Sequence, residues 1–431
     1  MNASINSNNA PDVSVVKPHF IFGSIALFIL SILIILADSS LLDVYFNNKI
    51  IAITHMAVLG WAIMIVFGAL YQLIPVVFET SLFSEKLAKF TFWLSGFSVI
   101  FLTYSFWIGA YSGLLVYASL LMFISLLLFV VNVFLSYKNS KLKNISSKFV
   151  ITAVLWLAIT EFIGTLIAFN FKYNFLSEIH LHYLKIHATI GLVGWFLLLI
   201  IGVGSTLIPM FLVSHELNDK KLKIAFYFIN SGLVALSLNW FFIHQNSYDI
   251  IFWLSIVIGI LFFVSFVYDS YKKRIRKVLD IGMKHTMLSI VSVVLPIILS
   301  LIITVGFDFE EILIYRVITL YGFTIIFGFI TTLILGQTYK TLPFVIWLDK
   351  YKSLVGKTKT PMPRELYSEK IAKAHFYIYL LFIACMIFGI FFDKIWLIRI
   401  GSYLLLLVAV LYNINVFKMI FHKIKTIEKN E

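Results

Sequence analysis

Residues 60–75 read GWAIMIVFGALYQLIP, residues 194–209 read GWFLLLIIGVGSTLIP, and residues 328–343 read GFITTLILGQTYKTLP. In each copy an aromatic residue follows the first glycine, a second glycine stands eight positions after the first, and a proline closes the motif fifteen positions after it. The first glycines are separated by 134 residues in both steps. A motif that recurs at a constant interval indicates three copies of one unit.

The composition sets the class of protein. The 431 residues are 61% hydrophobic and only 13% charged, with a mean hydropathy of +0.98. A membrane-spanning helix needs about 20 mostly apolar residues. Twelve such runs occur, at about 20–37, 50–78, 88–108, 112–136, 148–170, 184–213, 222–243, 249–270, 284–305, 312–342, 373–392 and 395–418. The sequence therefore predicts an all-α polytopic membrane protein.

The motif helices are the second, sixth and tenth of the twelve, so each repeat contains four helices. The predicted fold is a single membrane domain over 1–431, with pseudo-symmetric repeats at about 18–147, 148–283 and 284–421. The segment 344–370 contains a 16-residue insertion relative to the other repeats and is predicted to be a cytoplasmic loop. Residues 1–16 carry no Lys or Arg, so they do not resemble a signal peptide and the first helix is expected to be retained.

The charge distribution predicts the orientation. The net charge is +13, and most of the 34 Lys and Arg residues fall in the tails and in the loops that follow even-numbered helices. Six lie on the other side: Lys49, Lys172, Lys185, Arg316, Lys394 and Arg399. The positive-inside rule then places both termini in the cytoplasm, with the protein in the cytoplasmic membrane. The basic run at 272–277 is interpreted as a topology signal beside anionic lipid and not as a nucleic-acid site.

The ten histidines divide by predicted depth. One group lies near the cytoplasmic ends of helices and is interpreted as interfacial polar residues: His19, His215, His285, His375 and His422. The other group lies toward the outer face: His55, His180, His182, His187 and His244. Buried imidazoles in a membrane are costly and need partners, so the second group holds the candidate ligands. His180 and His182 are expected in an exposed loop that enters helix six.

His55 and His187 stand at similar depth in equivalent helices, but they precede the motif glycine by five and by seven residues. Two residues correspond to about 200° of helix rotation, so the two imidazoles are predicted to serve different sites. The matching positions of the third repeat are Phe323 and Tyr321, which leaves that repeat without an equivalent imidazole.

These features resemble subunit I of the haem-copper oxidases, the superfamily of terminal oxidases and nitric oxide reductases. The resemblance covers nearly the whole chain: twelve helices, both termini inside, three arcs of four helices, and a histidine in the outer part of helices two and six. In plan and size the chain is also similar to the NnrS-type haem proteins. The family's paired histidines of helix seven have only His244 as a counterpart here, and its two helix-ten histidines have none. The chain therefore resembles a divergent branch that lacks the usual active site.

The resemblance implies that His55 is an axial ligand of haem and that His187 binds a second haem or a metal ion. His182 and His244 become co-ligands if the helix ends converge, and copper is a possible metal. Arg316 would pair with haem propionates. The implied function is electron transfer, or binding or reduction of oxygen or nitric oxide, with a separate quinol or cytochrome as electron donor. Whether the protein is an enzyme is left open.

Two intramembrane charges leave alternatives. Glu161 and Arg316 are expected to pair with each other, with water or with a ligand, because isolated charges in a membrane are costly. A solute pathway would also use such residues, so a transporter or channel is the main alternative function. A cofactor-free assembly subunit that keeps the oxidase fold is the third.

Overall fold

The computed structural model describes residues 9–140, 143–306 and 310–424. The protein is 83% helical and forms no strand within these ranges, apart from an isolated bridge between Ser214 and Arg274. Twelve helices in the described ranges are long and apolar enough to cross a membrane, as the sequence predicts. We label them α1 to α12: Val13–Leu41, Asn48–Val77, Glu85–Trp107, Leu114–Lys138, Ile145–Tyr173, His180–Leu212, Lys220–Ile243, Asn246–Lys272, Ile281–Val305, Glu311–Leu354, Glu369–Phe391 and Ile395–Ile420.

Polar caps define where several helices begin. Ser84 accepts a hydrogen bond from the Leu87 amide and starts α3, and Ser368 accepts one from the Ile371 amide and starts α11. Such caps satisfy amides of the first turn that have no partner within the helix. Each cap serine is itself held by an asparagine of the following helix. The caps therefore fix the position of both helix starts.

The three motif helices share an uncommon backbone feature. Each contains an eight-residue π-helical segment: Met56–Ile63 in α2, Ile190–Leu197 in α6 and Thr324–Thr331 in α10. The segments begin at intervals of 134 residues and each includes the first glycine of its motif. π-Helix is rare and is frequently found at functional sites.

The described chain forms two compact units. The central unit comprises residues 73–278, with short segments at 9–10 and 297–306; the terminal unit comprises 11–72, 279–296 and 310–424. In the central unit α5 packs on α4 and α6, and α8 packs on α6 and α7. In the terminal unit α12 packs on α1 and α11, while α10 packs on α2, α9 and α11. The unit boundaries do not follow the repeat boundaries.

Contacts define two sides of the terminal unit. On one, Lys17 near the start of α1 lies 5.5 Å from the ring centroid of Phe421 just beyond the end of α12. We call this the N side. On the opposite side, Arg399 near the start of α12 pairs with Asp38 near the end of α1, with Nε 2.8 Å from Oδ1. The N side is the predicted cytoplasmic side.

The second glycine of each motif packs against the first helix of its own repeat. A Cβ on Gly68 would lie 2.7 Å from Cβ of His19, and a Cβ on Gly336 would lie 2.5 Å from Cβ of His285. In the second repeat, a Cβ on Gly202 would lie 2.9 Å from Cβ of Phe149. Each glycine therefore allows a close approach of two helices that a larger residue would prevent.

Two sequence predictions of local structure are wrong. Helix α10 continues through Pro343, and its α-helical part ends at Tyr351, so part of the predicted loop 344–370 is helical. A proline removes one backbone hydrogen bond but leaves the next turn free to continue. Residues His180 and His182 lie in the first turn of α6, half-buried, and not in an exposed loop.

Candidate functional site

We call the region between the first halves of α2 and α10 in the terminal unit, on the side opposite the N side, the compartment. The two helices meet at their π-helical segments, where the Trp61 indole donates to the Thr331 hydroxyl at 3.2 Å. Nearer the opposite side, the rings of Tyr45 and Tyr315 are in contact with centroids 5.8 Å apart. Between these two contacts, the helical segments Asn48–His55 and Glu311–Phe323 make few close backbone contacts with each other.

His55 is the last residue of α2 before its π-helical segment, and it is half-buried. Its Nδ1 donates a hydrogen bond of 2.8 Å to the carbonyl of Ile51. In a neutral imidazole this bond places the lone pair on Nε2, the nitrogen that binds a metal. His55 precedes Trp61 by six residues, so it lies on the side of the Trp61 contact that faces away from the N side.

The Cβ position of Gly322 in α10 has no neighbouring atoms. A Cβ built on Gly322 meets no atom within 4 Å, and the neighbouring Tyr321 is half-buried. Near the compartment's end, burial raises the pKa of the Tyr45 hydroxyl through desolvation. The residues that border the compartment therefore include a histidine and two contacting tyrosine rings.

Arg316 lies near the start of α10, in the same unit as His55. Its Nη2 lies 2.6 Å from Oδ2 of Asp393, which follows the end of α11. Its Nε is buried and donates to no acceptor among the described residues. The Nη2 group of the guanidinium thus donates to Asp393, and the Nε–H group remains for a further acceptor. The sequence did not predict Asp393 as the partner, because it is distant in the chain.

His187 belongs to the central unit. Its Nδ1 donates to the carbonyl of Thr160 in α5 at 2.9 Å, and a Cβ on Gly164 would lie 2.7 Å from its ring. The neighbouring helix α5, and not its own helix, therefore orients this imidazole. His55 is oriented by its own helix, so the two histidines have different surroundings.

His182 and His244 come together at one end of the central unit, with ring centroids 5.5 Å apart. The Nε2 of His182 hydrogen-bonds the Trp240 carbonyl at 2.9 Å, and His244 is exposed in a left-handed conformation. No group of three His, Cys, Asp or Glu side chains suited to a metal ion occurs in the described ranges.

Glu161 is a buried acid in α5, with an exposed fraction of 7%. It forms no ion pair with any residue that the structure describes. Its backbone neighbour Thr160 accepts the bond from His187, so Glu161 lies one residue from a helix contact that orients a candidate ligand.

Three of the histidines predicted to be interfacial are fully buried: His19, His285 and His375. The sequence did not predict this burial, since neighbouring helices cover positions only a few residues inside a helix start. His215 is exposed, while His422 is half-buried and contacts the Tyr351 hydroxyl at 2.7 Å. Hydropathy gives the depth of a residue along a helix, but not the neighbours that cover it.

Searches against models of known protein families and against curated proteins give no match to this chain.

Proposed function

We propose that this chain is a haem-binding membrane protein of the type of haem-copper oxidase subunit I. In this proposal it transfers electrons or binds a diatomic gas. The observation that carries the proposal is His55 in the half of α2 that borders the compartment, with its Nδ1 already bonded to a carbonyl.

The orientation of His55 supports an axial ligand. A histidine that binds a metal almost always donates its other ring N–H to a carbonyl, a carboxylate or water. The bond to Ile51 meets this condition and comes from the same helix. The imidazole therefore needs no partner helix to orient it.

The charge beside the compartment also suits a haem. The buried Nε of Arg316 is a donor suited to a propionate, which would share the guanidinium with Asp393. The Tyr45 and Tyr315 rings contact each other at this end of the compartment.

A bound haem would supply one-electron chemistry and, at any open axial position, binding of oxygen or nitric oxide. The protein's own part is to hold and orient the imidazole, to counter the propionate charge and to exclude water. An electron donor, a quinol or a cytochrome, would be a separate molecule.

Three local similarities support the proposed threefold arrangement. The π-helical segments recur at 134 residues in all three motif helices. The second motif glycine packs against the first helix of the repeat in all three cases. In the first and third repeats, an asparagine of the fourth helix holds the cap serine of the third.

The experiment is a reduced-minus-oxidised absorption spectrum of detergent-purified protein, with haem quantified per chain. We expect wild type to contain haem and His55→Ala to lose the corresponding Soret and alpha bands. Carbon monoxide added to the reduced protein then reports whether an axial position is open.

His215→Ala is the matched control, because His215 is exposed and should leave the spectrum unchanged. His187→Ala distinguishes one bound haem from two. It should lower the haem content per chain only if a second haem is held in the central unit. A colourless wild-type protein, expressed with adequate haem, would exclude the proposal.

Glu161 favours a second candidate function, a transporter. A buried acid without an ion-pair partner among the described residues is the kind of group that binds a proton or a cation on a transport path. Ion flux into proteoliposomes that contain the wild-type protein, abolished by Glu161→Gln, would support this function. No ion flux with the haem-free wild-type protein would count against it.

A further inference from the structure

Two fully buried histidines face each other in the terminal unit, close to the N side. His285 lies in the second turn of α9 and His375 in the second turn of α11. Their ring centroids are 5.5 Å apart and their planes are inclined by 42°. Both side chains are 0% exposed. None of their four ring nitrogens has a hydrogen-bond partner among the described residues.

This concentration of unsatisfied polar atoms is unusual. A buried donor or acceptor without a partner costs about 1–3 kcal/mol, and most buried side-chain polar atoms in proteins are paired. Here four such nitrogens occur on two adjacent rings. One ligand that both imidazoles bind would satisfy one nitrogen of each ring.

The surrounding side chains do not offer the missing partners. The Phe376 ring packs 4.8 Å from His285, and the Tyr379 and Tyr412 rings lie 6.4 Å and 6.0 Å from His375. The Tyr379 hydroxyl donates to the Phe327 carbonyl, and the Tyr412 hydroxyl bonds to Thr338. The tyrosines therefore form walls and direct their hydroxyls to other groups.

The backbone of each histidine is held by a separate close contact. His285 stands against Gly336 of α10, where a Cβ would lie 2.5 Å from its own Cβ. The start of α11 is fixed by Asn415, which accepts from the Ser368 amide at 2.9 Å. Two rigid helix starts thus present the two rings, an arrangement that favours a preformed site.

We propose that His285 and His375 together bind one Cu(I) ion. Two imidazoles that share an ion at about 2 Å from each nitrogen have centroids about 6 Å apart, close to the separation observed. No third His, Cys, Asp or Glu joins the pair among the described residues, which argues against zinc, whose structural sites have four ligands.

The surroundings favour a singly charged ion. No carboxylate or thiolate of the described residues compensates a charge at this position, so a divalent ion would bear a larger desolvation cost. Imidazole is a good ligand for copper. A haem does not fit between the rings, because protein atoms enclose both completely. The site is thus separate from the His55 compartment, and its failure would leave the haem proposal untouched.

The test is an anaerobic titration of the full-length protein in detergent with the acetonitrile complex of Cu(I), in competition with the chromogenic chelator bicinchoninate. We expect wild type to retain one copper per chain against the chelator. The X-ray absorption edge of the loaded protein should be that of Cu(I) with two nitrogen ligands.

His285→Phe and His375→Phe should each lose this one equivalent. The matched control is His19→Phe, another fully buried histidine of the terminal unit, whose Nδ1 bonds to the Val15 carbonyl at 2.8 Å. The control should keep the copper. Size-exclusion profiles and circular dichroism establish that each variant is folded.

Wild-type protein that takes no Cu(I) from the chelator would overturn the proposal, as would folded variants that keep the full equivalent. If the variants do not fold, the absorption edge of wild type decides. An edge from a three- or four-coordinate ion, or from sulfur ligands, would contradict a site made of these two imidazoles.

Discussion

Glycines in the same helix illustrate how much a single residue determines. In α10, a Cβ on Gly336 would lie 2.5 Å from Cβ of His285 and 2.6 Å from the Gly282 carbonyl oxygen, whereas one on Gly322 meets nothing within 4 Å. The first glycine is required by a helix contact and the second is not. The sequence motif singles out Gly336 but gives no indication of Gly322, since open space is not encoded locally.

We predict opposite effects of alanine at these two positions. Gly336→Ala should destabilise the protein by about 1–3 kcal/mol, because the added methyl forces α9 and α10 apart. Gly322→Ala should be neutral or stabilising by up to about 1 kcal/mol, since alanine is the better helix former. Thermal unfolding in detergent measures both. Equal effects of the two substitutions would contradict the close contact at Gly336.

Arg316 and Asp393 provide a second prediction at this scale. If Arg316 donates to a haem propionate, Arg316→Gln removes a positive charge near the haem and should lower its midpoint potential. Asp393→Asn removes a negative charge and should raise it. Because the pair is partly exposed, each substitution should change the free energy of unfolding by only about 0–1 kcal/mol. Redox titration is the measurement, and shifts of the same sign would contradict the pairing.

At the scale of helices, the cap serines connect neighbouring elements. Asn132 of α4 accepts from the Ser84 amide at 3.0 Å and donates to its carbonyl at 2.9 Å. Asn415 of α12 makes the same two bonds to Ser368, at 2.9 and 3.2 Å. In each case one buried side chain satisfies both backbone groups of the residue that starts a helix.

We predict that Asn132→Ala and Asn415→Ala each destabilise the protein by about 2 kcal/mol, since each leaves the serine amide without a partner and removes one of two hydrogen bonds to the serine carbonyl. Asn139→Ala is the control, because Asn139 is exposed at the end of α4. Chemical or thermal unfolding compares the three. A loss of stability for only one of the two alanine variants would argue against equivalent roles of the two asparagines in the first and third repeats.

The helices themselves could be predicted because membrane-spanning segments are set by length and apolarity. The predicted run 395–418 corresponds to Ile395–Ile420, and 50–78 corresponds to Asn48–Val77. The predicted end of α10 is wrong. Pro343 is a local signal for a helix end, but the helix continues past it to Tyr351. The His285 and His375 pair could not be predicted, since it depends on which helices become neighbours.

For the whole molecule, the charge asymmetry predicts a topology that labelling can test. In a Cys385→Ser background, a membrane-impermeant maleimide should label Ser177→Cys, in the exposed connection between α5 and α6, from outside intact cells. It should label Lys357→Cys, between α10 and α11, only after permeabilisation, because that side is predicted to be cytoplasmic. The reverse pattern would invert the predicted orientation, and equal labelling would contradict an odd number of crossings between the two positions.

The π-helical segments have a consequence for the history of the chain. A π-helical turn contains one residue more than the α-helical turn it replaces, so it arises when a single codon is inserted within a helix. Three segments at identical spacing would otherwise require three separate insertions at matching positions. If the repeats descend from one ancestral four-helix gene, a single insertion before the duplications accounts for all three. Under that descent, the widened turn is older than the differences in histidine content that now distinguish the repeats.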